Sequence, residues 1–546
     1  MRRSRGVLAG VLLATGLLAC GCTRVESTAN GGGRHSWTKP GVLRLATILS
    51  PNTLNPLIST QQIEAQIEGM IFDPLISADE HQRLVPILAS VVPTQRNAGI
   101  SRDGLTITYH LRRGVKWQDG APFGSADVAF SFRALMNPRT NITTRHGYDD
   151  IVRIDTPDAY TVVLHLRRPF APAIATFFGP SDAPYFIIPK HLLAAYPDLN
   201  RVPFNQRPVG TGPFKLTRWL RGDELDFVPN DAYFGGKPKL REIRLRLVPD
   251  ENTIVSLLRA HEIDWFMEAT PRTYPQLTAI DGVTVRLVPM NANDAIMLNT
   301  SRPLLADPRV RRAIGLAIDK PRLVRDIAYG TTVAATEDLP SFMWAFDPNA
   351  GTSRRDLPEA EKLFAASGWR RGADGILVKN GKRFTMGLAF RSDSITDRQR
   401  SVLVAAMLRE AGIDVELKGY TTALMYAAAG AGILADGNYD AGLQTWYAGV
   451  DPDDSSQLLC AEVAPKGYDW SRYCSPAMDA AQHVALTSYD EAVRKRAYAQ
   501  VQRLLAADAP EIYLWWPRQI EAVNADFGGF RPNGVINTWN AAEWTI

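Results

Sequence analysis

Histidine and cysteine are scarce. Eight histidines are scattered through 546 residues, and the four cysteines are Cys20, Cys22, Cys460 and Cys474. There is no CxxC pair and no cysteine with a histidine at ligand spacing, so neither a metal site nor a redox centre is expected. No GxSxG elbow, no phosphate-binding P-loop and no HExxH helix occurs. The stretch GTGPF at 210–214 is an incomplete GxGxxG and does not read as a dinucleotide loop. Carboxylates are many, but none forms an isolated pair at the spacing glycosidases use. No enzyme activity, cofactor or metal is therefore expected. Charge of one sign is lacking too. The net charge is +4 over the whole chain, and no basic run interleaved with aromatics appears, which removes the case for nucleic acid. With 45% hydrophobic and 22% charged residues, disordered and collagen-like classes are excluded, and the length predicts two or three domains.

Long apolar runs are absent with one exception, Gly6 to Ala19, which is too short to span a membrane comfortably. It follows the basic start Met1-Arg2-Arg3-Ser4-Arg5 and ends on a small residue. That pattern predicts a secretory signal over 1–19. Leu17-Leu18-Ala19-Cys20 resembles a bacterial lipobox, in which the cysteine after the small residue is lipidated on sulfur and becomes the new N-terminus. Cys20 is the expected lipidation site and Cys22, preceded by Ala19 and Gly21, the alternative. A disulfide between the two would close a strained, very small ring. A thiol-linked diacylglycerol, of the palmitate type, carries two acyl chains and anchors stably. Residues 20–40 read as the lipidated flexible tether: 23–40 are polar, contain Gly31-Gly32-Gly33, and span roughly 25 Å as a flexible coil. The expected location is the outer face of the bacterial cytoplasmic membrane.

Beyond residue 41, strand and helix patterns are mixed. VLRLATI, from Val42, reads as a strand. Leu105, Ile107, Tyr109 and Leu111 alternate with Thr106, Thr108 and His110, predicting a half-buried strand. SADVAFSFRALMNP predicts a helix capped by Ser125 and stopped at Asn137-Pro138. Asp307-Pro308 opens another, with Val310, Ala313, Ile314 and Ala317 as its apolar stripe. The strand 384–390, a helix over 398–411 and the strand 413–417 form a βαβ unit, which implies adjacent parallel strands. Ser488 to Glu491 reads as a capping box opening a helix to about Ala507. The class is α/β with mixed sheets in at least two lobes.

Several stretches, in this order, resemble the bacterial extracellular solute-binding proteins of family 5, the oligopeptide-, dipeptide- and nickel-binding components of ABC importers. They are 86–132, with SRDGLTITYHLRRGVKWQDGAPF at its centre, PVGTGPFKL at 208–216, and NDAYFGGKPKLREIRLRLVPD at 230–250. LADPRVRRAIGLAIDK at 305–320 and the tail from Trp446 to Pro517 follow. The resemblance implies a two-lobed periplasmic-binding-protein-like fold (class II) with an extra domain inserted in the first lobe. Carried to this chain, lobe I is 41–80, 205–290 and 515–546, the inserted domain 81–204, and lobe II 291–514. It also implies a monomer that captures peptides in the interlobe cleft and delivers them to the permease subunits of an ABC transporter and their ATPases. The alternatives are a chelated metal, haem or an oligosaccharide as ligand, or a non-transport envelope or signalling lipoprotein.

The same resemblance singles out the contact residues. Arg391 stands at the carboxyl end of a strand, the edge that faces the crevice in open α/β sheets. An arginine there suits bidentate binding of a ligand carboxylate, unless it pairs with Asp393 or points to solvent. In TWYAGVDPDDSSQLLC, 445–460, Trp446 is followed three residues on by Gly449, where dipeptide-binding relatives carry the aspartate that meets the peptide ammonium. Either Asp451 replaces it or the ligand has no ammonium there; the acidic run also reads as a solvated turn around Pro452. Trp446 either lines the pocket or fills core. Ser59 and Thr60, in LISTQQ, match a region that offers backbone and hydroxyl groups to an extended peptide. Cys460 and Cys474 are expected to form a disulfide in an exported chain, worth on the order of 3 kcal/mol by the loop they close, with two free thiols as the alternative.

Overall fold

The strand Val42–Thr47 organises the first lobe. Leu43, Leu45 and Ala46 are fully buried, and both neighbours, Glu242–Leu247 and Trp265–Ala269, run parallel to it, as suits a strand covered on both faces. The full sheet has seven strands in the order Val283–Pro289, Arg518–Asn524, Trp265–Ala269, Val42–Thr47, Glu242–Leu247, Glu224–Pro229 and Phe214–Leu220. This computed structural model describes residues 34–352 and 354–546, and the compact body is Trp37–Ile546. The expected signal segment and both lipidation candidates, Cys20 and Cys22, lie outside the described residues. The expected tether is shortened at its far end. Trp37 stacks on His261 at 3.9 Å, and Thr38 is buried between Asp526 and Asn524.

A second sheet of six strands runs Val333–Ala334, Glu511–Trp516, Ala292–Leu298, Ala441–Tyr447, Thr385–Arg391 and Asp414–Tyr420. Thr385–Arg391 and Asp414–Tyr420 are adjacent and parallel in register, joined by the helix Ile395–Glu410. That helix begins three residues before the sequence expectation, because Ser394 accepts a hydrogen bond from the Asp397 amide and caps it. The chain passes between the two sheets at residues 290–291 and again at Pro517. The Met290 amide donates to the Pro517 carbonyl, tying the two passages together.

Residues between the first lobe's segments add a three-stranded sheet, Thr106–His110, Thr161–Leu166 and Ile151–Asp158, and the helix Ser125–Met136. Ser125 is not its cap. Gly124 holds that position, and the Ser125 hydroxyl instead donates to the Asp158 carbonyl. Phe132, Tyr148, Phe177 and Phe178 form an edge-on aromatic nest, continuous with the apolar core of the first lobe. The glycines of PVGTGPF have a packing reason: a Cβ on Gly210 would lie 1.9 Å from the Ile71 carbonyl oxygen. The helix Glu491–Asp508 is capped by Asp490 alone, which replaces the expected box.

Candidate functional site

The segment 52–61 is held by one buried glutamate. Glu64, in the first turn of the helix Gln62–Ile71, accepts from the amides of Asn52 and Thr53 on one oxygen and from those of Thr60 and Gln61 on the other. A carboxylate with four amide donors at a helix N-terminus is a rigid clamp. Ser59 donates its hydroxyl to Glu68 at 3.0 Å; burial and the neighbouring Glu64 charge raise the Glu68 carboxyl well above its ordinary range. Ser59 and Thr60 are thereby presented to a cavity of about 280 Å³.

The other walls of that cavity come from distant parts of the chain: Asp182 and Tyr185 from the inserted segment, Asn291 at the crossing between sheets, and Tyr447 at the end of a second-lobe strand. Asn291 is the hub. Its side-chain amide donates to Gln82 at 2.9 Å and to the Gly449 carbonyl at 2.7 Å, and its own carbonyl accepts from the Ala448 amide. Its side-chain oxygen is buried and accepts from no donor among the described residues. That oxygen is packed against Gly534, where a Cβ would come within 2.2 Å of it, so the residue acts as a structural tie rather than as an open acceptor.

Second-lobe groups close over the inserted segment. The Val450 amide donates to the Pro180 carbonyl, and the Tyr468 hydroxyl to the Thr143 carbonyl at 2.7 Å. His146 meets Asp453 at 3.0 Å. Burial works against the charged imidazole, but the charge and hydrogen bond of Asp453 push its pKa up to about 9. The cavity therefore lies at a three-way contact held by groups from both lobes.

Arg391, Trp446 and Asp451 do not line this cavity, whereas Ser59 and Thr60 do. Arg391 is half-buried at the strand end and grips Asp397 with Nε and Nη2, at 2.6 and 3.0 Å. Asp393, the partner considered from the sequence, accepts from Thr422 instead. Asp397 also takes Arg400, which is 1% exposed and reaches Asp294 at 2.5 Å. Asp294 in turn receives the Trp515 indole and the Thr445 hydroxyl. Burial alone would raise the Asp397 carboxyl, but the two guanidiniums hold it below the ordinary carboxylate range. The network of two arginines and two aspartates is neutral, which is what allows it to be buried.

Trp446 packs with Tyr468 and Trp470 and lines a separate space of only about 20 Å³ with Asp338, Asp454 and Glu511. Adjacent strand residues face opposite sides, so Tyr447, and not Trp446, reaches the 280 Å³ cavity. Asp451 spends both oxygens on Arg494 at 2.7 Å each and faces a different hollow, shared with Trp344 and Tyr489. It does not take the place of an acid at 449. Cys460 and Cys474 are bonded to each other, and the loop they close carries Tyr468 and Trp470.

A family model for bacterial extracellular solute-binding proteins, family 5 Middle, matches residues 83–464. Protein XP55 of Streptomyces lividans is 30% identical over 520 residues, covering 93% of this chain and 89% of that protein. The oligopeptide-binding protein AppA of Bacillus subtilis is 23% identical over 559 residues, covering 100% and 99%. Its solved structure, in complex with a nonapeptide, superposes with a TM-score of 0.78 over 93% of this chain and 99% of that one. NikZ from Campylobacter jejuni, in complex with Ni(L-His), gives 0.78 at 24% identity, over 93% and 100%. The fold is thus the two-lobed one of these proteins, and the chain belongs to the bacterial extracellular solute-binding proteins of family 5.

Proposed function

We propose that this chain captures short peptides in the cavity between its lobes and delivers them to the permease of an ABC importer. The observation that carries the reading is the cavity itself. It is walled by Ser59, Thr60, Asp182 and Tyr447, and it is flanked by contacts that need both lobes in place. Such a site favours the closed form only when a ligand bridges the walls. Its volume of about 280 Å³ is at the small end of ligand pockets, which supports a short peptide over a long one. The rigid 52–61 segment, clamped by Glu64, suits a ligand that meets backbone groups. Arg391 lies outside the cavity lining but keeps Nη1 free of hydrogen bonds to described residues; in this reading the ligand carboxylate extends past the cavity to meet it at the rim of the second sheet.

The lobes in this reading are 41–80, 205–290 and 515–546 against 291–514, with 81–204 inserted, the two crossings acting as the hinge. Cys20 carries the lipid, with Cys22 as the alternative, and the protein works as a monomer on the outer face of the cytoplasmic membrane. Native mass spectrometry of the purified protein tests the ligand class. Co-purifying peptides support the reading; a chelated metal, haem, an oligosaccharide or no small molecule overturns it. Mass spectrometry of the mature N-terminus reads the lipidated cysteine directly.

A further inference from the structure

Among the residues that line the 280 Å³ cavity, Asp182 brings the only carboxylate. Its side chain is exposed to the cavity, and no described side chain donates a hydrogen bond to it. The charges that act on it are His146, which favours the ionised form, and Asp453, which opposes it; these two are paired with each other at 3.0 Å, and apart from backbone amides at 182 and 183 the carboxylate has no partner cation among the described residues. The residue before it, Ser181, lies against Gly449 of the second lobe, where a Cβ would come within 2.8 Å of the Ser181 Cα. The second lobe therefore has no room for an acidic side chain at this point, and the inserted segment supplies one beside it. Ser59 and Thr60, which also line the cavity, are uncharged, and the Ser59 hydroxyl proton is already given to Glu68.

We propose that Asp182 receives the cationic end of the ligand, the α-ammonium of a peptide, and so selects ligands with a free amino group. The assignment rests on the peptide reading of the cavity and adds to it a residue and an orientation: amino end toward the inserted segment. Loss of solvent raises the Asp182 carboxyl above its ordinary pKa, partly offset by His146. An ammonium in contact would return it to the ionised form, so binding of a cation relieves a cost already present in the empty site. A partly desolvated carboxylate without a partner cation is also a device for rejecting ligands that end in an amide or an acid at that position.

The test uses a casein digest of short peptides and the same digest after N-acetylation, each incubated with the full protein and read by native mass spectrometry. The wild type is expected to retain free-amine peptides about tenfold or more over acetylated ones, the scale of a charge-assisted hydrogen bond. In Asp182→Asn this ratio is expected to fall to about twofold or less, while Asp182→Glu keeps it; the thermal midpoints of all three proteins confirm folding. If Asp182→Asn keeps the wild-type ratio, or if the wild type retains acetylated peptides equally well, the role of Asp182 is overturned and the peptide reading stands. If the wild type retains neither digest, both are overturned.

Discussion

A Cβ on Gly449 would lie 2.8 Å from the Pro180 carbonyl oxygen and 2.8 Å from the Ser181 Cα. Both obstacles are backbone, which cannot rotate away. A side chain at 449 therefore pushes the second lobe off the inserted segment. Gly449→Asp is expected to lower ligand affinity about tenfold or more, in line with ~1–3 kcal/mol for a forced overlap. Calorimetry gives the affinity, and small-angle scattering of the liganded protein should show a larger radius than the wild type. Unchanged values in both would show that the contact gives way cheaply.

His146 and Asp453 join the inserted segment to the second lobe, so the pair couples closure to pH. With the lobes apart, the imidazole has an ordinary pKa near 6.5; in contact it is about 9. A raised pKa stabilises the contact fully below about 6.5, and the effect is lost as pH rises through 9. Ligand affinity should therefore fall between pH 6.5 and 9, by on the order of 1–3 kcal/mol. Asp453→Asn should flatten that dependence. The check is a titration series at fixed ionic strength.

Glu511 is 8% exposed and accepts from Gln444 at 2.9 Å. Burial first, then the charge of Asp469, push its pKa up to about 8, against roughly 4.3 in the unfolded chain. The protonated acid suits the folded state, so its share of stability is complete below about 4.3 and disappears as pH rises through 8. Glu511→Gln should shrink the loss of stability from pH 5 to 9, by on the order of 1–3 kcal/mol at the alkaline end. Urea denaturation at both pH values measures it.

The Cys460–Cys474 bond closes a loop whose Tyr468 hydroxyl reaches the inserted segment. Replacing both cysteines by serine should cost about 3 kcal/mol, since the open loop has more conformations to lose on folding. Equilibrium denaturation under non-reducing conditions should show the difference between the two proteins. Equal midpoints would mean that the loop is already ordered without the bond.

Much of the architecture was legible because it is local. The alternation over 105–111 gives the strand Thr106–His110, Asp307-Pro308 starts a helix with its apolar stripe buried, and the βαβ unit has the parallel pairing its spacing requires. Errors at helix starts were also local. Ser125 looks like a cap, but Gly124 holds the extended conformation there, and Ser394 caps its helix three residues ahead of the expected start. The site was legible only in part. Arg391 was placed correctly at a strand end, but its partner Asp397 depended on where the next helix began. Asn291 and Asp182 carry no local signal: their meaning comes from distant residues, such as Gln82, 209 positions from Asn291 in sequence.

The sequence by itself determined the strands and helices and the family-marking stretches, because each rests on residues a few positions apart; the bond between Cys460 and Cys474, 14 positions apart, followed from the exported context and the resemblance. The tertiary structure decided which side chains meet. Trp446 and Tyr447 are neighbours on one strand, and a period of two sends one of them to the cavity and the other away. Which one is set by the packing of sheet, hinge and inserted segment together. The same packing leaves Gly449 no room beyond hydrogen at Ser181 and sets the Asp182 carboxylate beside it in the cavity.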